Sequence, residues 1–250
     1  MNLGIKVNQL RDELAEVIVE KDEMLGIYYK ELIRLYAEKI GQYEDYLHER
    51  EYTYLRLKRK LEMIEYEKKK SLDIDLYTID QRLDADYEDF EVRIRTRKKL
   101  TEKSLGGGGL DFNGKHYAKL RQYYKDVVRA IHPLIFPDLS PEDRRTWTMA
   151  YKAYEDLDLQ KMEAYSIGLA YMDQDYEDYV KGEDSYLEEQ IHEKKKYMAS
   201  MERLHPFNKR EILADEERIG QERARINKRI REVDEKISQT ENKILFALSS

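Results

Sequence analysis

The chain has no cysteine, and only four prolines, 11 glycines and one tryptophan among its 250 residues. The absence of cysteine removes disulfides, thiol nucleophiles and thiolate metal ligands together. So little glycine and proline leaves few turns for a many-stranded domain. No apolar run approaches the roughly 18 residues a membrane-crossing helix needs, and residues 1–30 lack the apolar region and cleavage site of a signal peptide. The expectation is a soluble, cytoplasmic protein with no membrane partner. Charge of one sign is not in large excess either: 45 basic residues face 52 acidic ones, for a net charge of -7. Interspersed charge of that kind argues against nucleic acid as a main partner.

What is abundant is charge itself, 39% of residues, with a mean hydropathy of -0.86. This suits long solvated helices with narrow apolar seams, so the expected fold class is all-α and elongated, built of helical hairpins or coiled coil. Residues 1–105 read as an N-terminal hairpin. Leu10, Leu14, Val17, Ile18, Leu25, Tyr28, Leu32 and Leu35 hold helical spacing that continues through Ile40, Tyr43, Leu47, Leu57, Leu61 and Ile64. Gly26 and Gly41 weaken this helix and mark places where it could kink. The pattern breaks at Lys68–Asp73, and Leu76, Ile79, Leu83, Tyr87, Phe90 and Ile94 form the stripe of a returning helix that ends near Lys103. Residues 106–116 open with four consecutive glycines and read as a linker.

Residues 117–172 form the central module. Tyr117, Leu120, Tyr124, Val127 and Ile131 step by three or four and define one helical face. Pro133 pushes His132 out of the α region and ends the helix, and Pro137 keeps the next residues irregular. Ser140 is a good N-cap, Pro141 fits the first helical position, and Glu142 and Asp143 suit the positive end of the helix dipole. Trp147, Ala150, Tyr151, Tyr154 and Leu157 make the buried stripe of that second helix. Asp158 then caps a third, through Leu159, Met162, Tyr165, Leu169 and Met172.

The run Tyr124–Pro133, with Pro137-Asp138-Leu139 and Ala150–Glu155, resembles helix II, loop and helix III of a J-domain, the module of DnaJ-like co-chaperones. It is most similar to the divergent bacterial branch in which that module sits among coiled-coil segments. The resemblance covers about 50 residues. In that family a His-Pro-Asp tripeptide ends helix II and, with basic residues of the helix, engages an ATP-hydrolysing heat-shock chaperone. His132 and Pro133 match, Leu134 stands in the place of the aspartate, and Asp138 follows four residues later. The segment expected to hold the family's helix I falls at the glycine run, so that helix reads as shortened or missing. The resemblance implies a heat-shock ATPase chaperone as partner, bound through Lys119, Lys125, Arg129, His132, Pro133 and Asp138. Residues 113–132 carry five basic side chains against Asp126, so the surface is locally basic in an acidic protein. The face reads equally well as plain solvated helix.

Residues 173–250 read as a C-terminal coiled-coil hairpin. Residues 173–189 are acidic, and Gly182 suggests a break. Leu187, Ile191, Met198 and Met201 sketch one helix that stops before Pro206. Asn208 and Glu211 form a capping-box pattern for the last one, whose seam is Ile212, Ile219, Ile226 and Val233 with Ile230, Ile237 and Ile244, interrupted by Thr240. Its expected partner is the 187–201 helix plus part of the N-terminal hairpin, in a monomer or a homodimer. Glu189/His192 and Asp45/His48 have the Glu-x-x-His-like spacing of di-iron bundles but lack the further carboxylates such a site needs, and no cofactor or metal is expected. There is no hydrolase elbow or metalloprotease motif. Two functions follow: a non-enzymatic J-domain-like co-chaperone or adaptor with weak or lost ATPase stimulation, or a structural coiled-coil scaffold with no chaperone contact.

Overall fold

The computed structural model describes residues 3–106, 114–170 and 182–249. Most of the 106–116 linker, Met172 and the acidic run 173–181 lie outside them. Among the described residues the fold is all-α with no strand. The helices are α1 (Leu3–Asp22), α2 (Tyr29–Tyr36), α3 (Gln42–Lys69), α4 (Leu76–Leu105), α5 (Lys115–Ile131), α6 (Pro141–Glu155), α7 (Leu159–Ala170), α8 (Glu183–Met201), the short α9 (Arg210–Leu213) and α10 (Glu216–Ser249). Two π-helical turns, Glu23–Tyr28 and Ala37–Gly41, fall between α1, α2 and α3. Each contains one of the two weak glycines, so the low helix propensity there is realised as a widened turn.

The chain divides into two compact units that differ from the sequence-based domains. The first joins residues 1–32 to 108–208, and the second joins 33–107 to 209–250. Neither is a continuous stretch, because the N-terminal helical segment contributes to both.

In the first unit α5, α6 and α7 pack together and α1 lies against α5 and α8. The core takes Leu14, Ala15, Val17, Ile18 and Val19 from α1 and Tyr117, Leu120, Tyr124, Val127 and Ile131 from α5. Val128 is also buried, a position the stripe did not include. The second unit sets α4 and α10 against α3. Ion pairs Lys60–Asp80 and Arg56–Asp84 run in opposite sequence directions, as an antiparallel hairpin requires. Arg50–Asp234, Arg229–Glu51 and the Lys68 bond to the Ala247 carbonyl instead advance together, so α10 runs parallel to α3. This corrects the expected C-terminal hairpin: α8 packs on α1 and α10 packs on α3.

The seam residues of α10 are buried from Ile219 to Ile244, and Thr240 joins them by bonding its hydroxyl back to the Lys236 carbonyl at 2.7 Å. The capping box at Asn208 is not what starts this helix. Phe207–Lys209 is a 3-10 turn, and Asp215 accepts from the backbone of Glu217 and Arg218 at 2.9 and 3.3 Å. At the second π turn the carbonyl of Lys39 accepts from Arg223 at 2.6 Å, which satisfies one group that widening the helix frees. No helix among the described residues is long and apolar enough to cross a membrane.

Candidate functional site

The central module is organised around Tyr124. Its ring stacks on Tyr154 at 3.8 Å between centroids and 6° between planes, and Trp147 and Tyr151 close the same aromatic cluster. The hydroxyl of Tyr124 donates to Asp22 Oδ2 at 2.6 Å, and that of Tyr117 donates to Glu23 Oε1 at 2.5 Å. Burial pushes both phenols far above their usual range, and the neighbouring carboxylates push them further. The acids at the end of α1 and the start of the π turn thus hold α5 from one side.

The same side takes up the basic stripe. Arg121 donates to Glu16 Oε1 at 2.7 Å and to Glu23 Oε2 at 3.2 Å. Lys125 pairs with the other oxygen of Glu16, and Arg129 with Asp12 at 2.6 Å. Lys125 holds the Glu16 carboxyl below its ordinary value; burial works against this, and Arg121 adds to it. Burial opposes the charge on Arg121, yet the bonds to Glu16 and Glu23 outweigh it and raise its pKa.

His132 is buried, at 8% exposure. Its ring meets Trp147 edge-on with centroids 4.4 Å apart, and its Nδ1 accepts the Leu134 N–H at 3.1 Å. Its carbonyl accepts from Ile135 and Phe136, both at 2.9 Å, so the residue closes the turn after α5 with side chain and backbone together. An accepting Nδ1 requires the neutral tautomer with the proton on Nε2. Desolvation drives its pKa down to about 3, with smaller contributions from Lys21 and Lys194.

Pro133 is half-buried, and Leu134 packs against the core. Leu134 is therefore a hydrophobic anchor of the turn. Asp138 is exposed on the loop and Lys119 on the outer face of α5. Arg144 pins that loop, donating to the carbonyls of Pro137 at 2.6 Å and Leu139 at 3.2 Å, a role that no spacing pattern signals. Ser140 caps α6 by accepting from Asp143 N at 3.1 Å, and Asp158 caps α7 by accepting from Lys161 N at 3.1 Å.

The six sequence-predicted residues are thus split among three settings. Lys125 and Arg129 are joined to acids of α1, His132 and Pro133 are built into the turn, and Lys119 and Asp138 face solvent. The acids Asp12, Glu16, Asp22 and Glu23 were not among the candidates.

The metal-like spacings resolve into ordinary contacts. Asp45 pairs with Arg97 at 2.8 Å, His48 donates Nδ1–H to the Glu44 carbonyl at 2.5 Å, and Glu189 and His192 are exposed. Among the described residues no three His, Cys, Asp or Glu side chains cluster as a metal site. Comparison with protein-family models, with curated proteins and with solved structures returned no match for this chain.

Proposed function

We propose that this protein is a non-catalytic helical scaffold or adaptor, acting in the cytoplasm, in which the J-domain-like module serves as a structural knot between longer helices. The observation that carries the reading is the pairing of Arg121, Lys125 and Arg129 with Glu16, Glu23 and Asp12. A partner using this stripe would have to displace α1. That helix is no detachable strap, because Leu14, Ala15, Val17, Ile18 and Val19 are all at most 2% exposed. Removing it would open the core of its unit. The packing of Leu134 adds to the argument, since an aspartate there would have to leave an apolar contact to meet a partner.

A second reading is favoured by the exposure of Lys119 and Asp138. In it the module is a co-chaperone that docks loosely, and in a salt-sensitive way, on a heat-shock ATPase. Single-turnover ATP hydrolysis by the cognate chaperone separates the two. The scaffold reading expects no stimulation by the wild type and none by Leu134→Asp, with near-UV circular dichroism confirming that the variant is folded. Strong wild-type stimulation abolished by Asp138→Ala would sink it and make the Pro137-Asp138 pair the working motif of a co-chaperone.

A further inference from the structure

Helix α4 is split by charge near its middle. Residues 76–91 hold six carboxylates, Asp80, Asp84, Asp86, Glu88, Asp89 and Glu91, against Arg82; residues 92–105 hold six basic groups, Arg93, Arg95, Arg97, Lys98, Lys99 and Lys103, against Glu102. Part of this is used within the second unit. Asp80 and Asp84 pair with Lys60 and Arg56, and Arg97 and Lys98 pair with Glu44 and Glu49, so the antiparallel α3 meets each half of α4 with the opposite sign. The far side of α4 repeats the split and is exposed. Gln81, Ala85, Glu88, Val92, Arg95, Lys99 and Lys103 step by three or four along one face, with Val92 at 55% exposure. That face lies across the helix from Ile79, Leu83, Tyr87 and Phe90, which pack toward α3. Glu88, Lys99 and Lys103 form no ion pair among the described residues.

Water alone does not account for this face. A solvated helix is best served by opposite charges three and four residues apart, whereas Asp84 with Glu88, Arg95 with Lys99, and Lys99 with Lys103 place like charges at that spacing. The helix dipole favours acids at the start and bases at the end, but its influence ends with the first and last turns. Here the split runs inward to Glu88 and Asp89 on one side and to Arg93 and Arg95 on the other.

We propose that this outer face of α4 is a self-association surface, occupied by the same face of a second copy running antiparallel. A two-fold axis crossing the face at Val92 sets the acidic half of each helix against the basic half of the other. Asp89 then falls opposite Arg95 of the second copy, Glu88 falls between its Arg95 and Lys99, and Val92 meets its own counterpart. Charge selects this occupant. A polyanion would be held by residues 92–105 and repelled by 76–91, and a polycation the reverse. A helix split in the same way and reversed in direction satisfies both halves, and α4 of a second copy is such a helix. With Ala85 and Val92 as the apolar residues of the face, the pairing is oriented by charge and sensitive to salt. It holds under either reading of the function.

Sedimentation velocity on the full chain, up to several hundred micromolar, tests the proposal. The wild type should form a reversible dimer in about 20 mM salt and dissociate in about 500 mM. Arg95→Glu with Lys99→Glu makes the centre of the face acidic, and Glu88→Lys with Asp89→Lys makes it basic. Each double variant alone should raise the dissociation constant about tenfold or more, while an equimolar mixture of the two should recover the dimer. All four side chains are exposed, so far-UV circular dichroism should be unchanged. Because the chain has no cysteine, Val92→Cys provides a single thiol at the axis and should cross-link to itself on mild oxidation. Gln81→Cys should not, since antiparallel pairing holds its two copies about 33 Å apart. A wild type that is monomeric throughout overturns the proposal, as does a dimer indifferent to the charge reversals, a mixture that fails to pair, or cross-linking through Gln81→Cys in place of Val92→Cys. Monomeric protein that binds a labelled DNA duplex, and loses this with Arg95→Glu and Lys99→Glu, overturns it in favour of a polyanion.

Discussion

Replacing His132 by Asn should change how the protein responds to acid more than how stable it is at neutral pH. The side-chain oxygen of Asn can occupy the place of Nδ1 and keep an acceptor for the Leu134 N–H, so the turn survives while the titrating ring is removed. Some stability is lost through the contact with Trp147. The decisive quantity is the pH slope. In the unfolded chain His132 takes a proton near its ordinary pKa of 6.5, whereas the folded protein holds the pKa down to about 3.

Below 6.5 the unfolded state therefore binds one proton more than the folded state, and stability falls by about 1.4 kcal/mol for each pH unit until the folded pKa is reached. The contribution is fully present above 6.5. By about pH 5 the loss is roughly 2 kcal/mol. Urea unfolding followed by fluorescence of Trp147 gives the stability of both proteins between neutrality and pH 5. The wild type should approach the variant over that range, because exposed histidines contribute equally to both and cancel in the difference. Equal slopes would refute the reasoning, and so would a His132 ring proton that titrates near 6.5 in the folded protein by NMR.

Three further outcomes are expected. Tyr124→Phe removes the buried donor to Asp22 and should cost about 1 to 3 kcal/mol in urea unfolding, since a carboxylate is left short of a bond. Glu16→Arg replaces two ion pairs with like-charge contacts; because the three side chains are about a third exposed, solvent screening limits the loss to roughly 1 to 2 kcal/mol, and Lys125→Glu added to it should recover part. The wild-type pairs are present above the ordinary Glu pKa and are lost as pH falls below it, so the Glu16→Arg difference should shrink in acid. Ile226→Asp with Ile230→Asp puts two carboxylates into the cluster around Ile40 and should cost more than about 4 kcal/mol, read as lost amide protection in α3 and α10 alike.

Periodicity carried much of this fold in advance because it reports a local fact. The stripe of α5, the Ser140-Pro141 start of α6 and the seam of α10 all depend on which face of one helix is apolar, and all are buried or capped as the spacing requires. Partner choice is not local. The α10 seam fits any complementary helix, so nothing in its heptads distinguished a parallel run along α3 from an antiparallel hairpin with α8. The two discontinuous units follow from that same pairing. At the candidate site, the basic stripe was visible but its acids were not, because Asp12, Glu16 and Glu23 sit about a hundred residues away on a helix that has many carboxylates. Leu134 illustrates a subtler limit. Read as a missing aspartate it signals lost function, whereas its packing gives it a positive structural role.

The charge pattern between α1 and α5 acts mainly through geometry. Going along α5 from Arg121 to Lys125 to Arg129, the partners go backwards from Glu23, at the start of the π turn, to Glu16 and Asp12 of α1, so the two helices are antiparallel. Spacings of four on one helix and four or seven on the other keep every pair on facing stripes. Each pair contributes little on its own, since exposed and half-exposed ion pairs are worth well under about 1 kcal/mol. A slip of one turn moves each group by about 5.4 Å; Arg121 would keep Glu16 and Lys125 would meet Asp12, but Tyr117 and Tyr124 would lose Glu23 and Asp22 in the same step. The bonds of Tyr117 and Tyr124 thus select how α1 seats on α5, the ion pairs fix that the two run antiparallel, and a locally positive helix in an acidic protein has an internal explanation before any external partner is invoked.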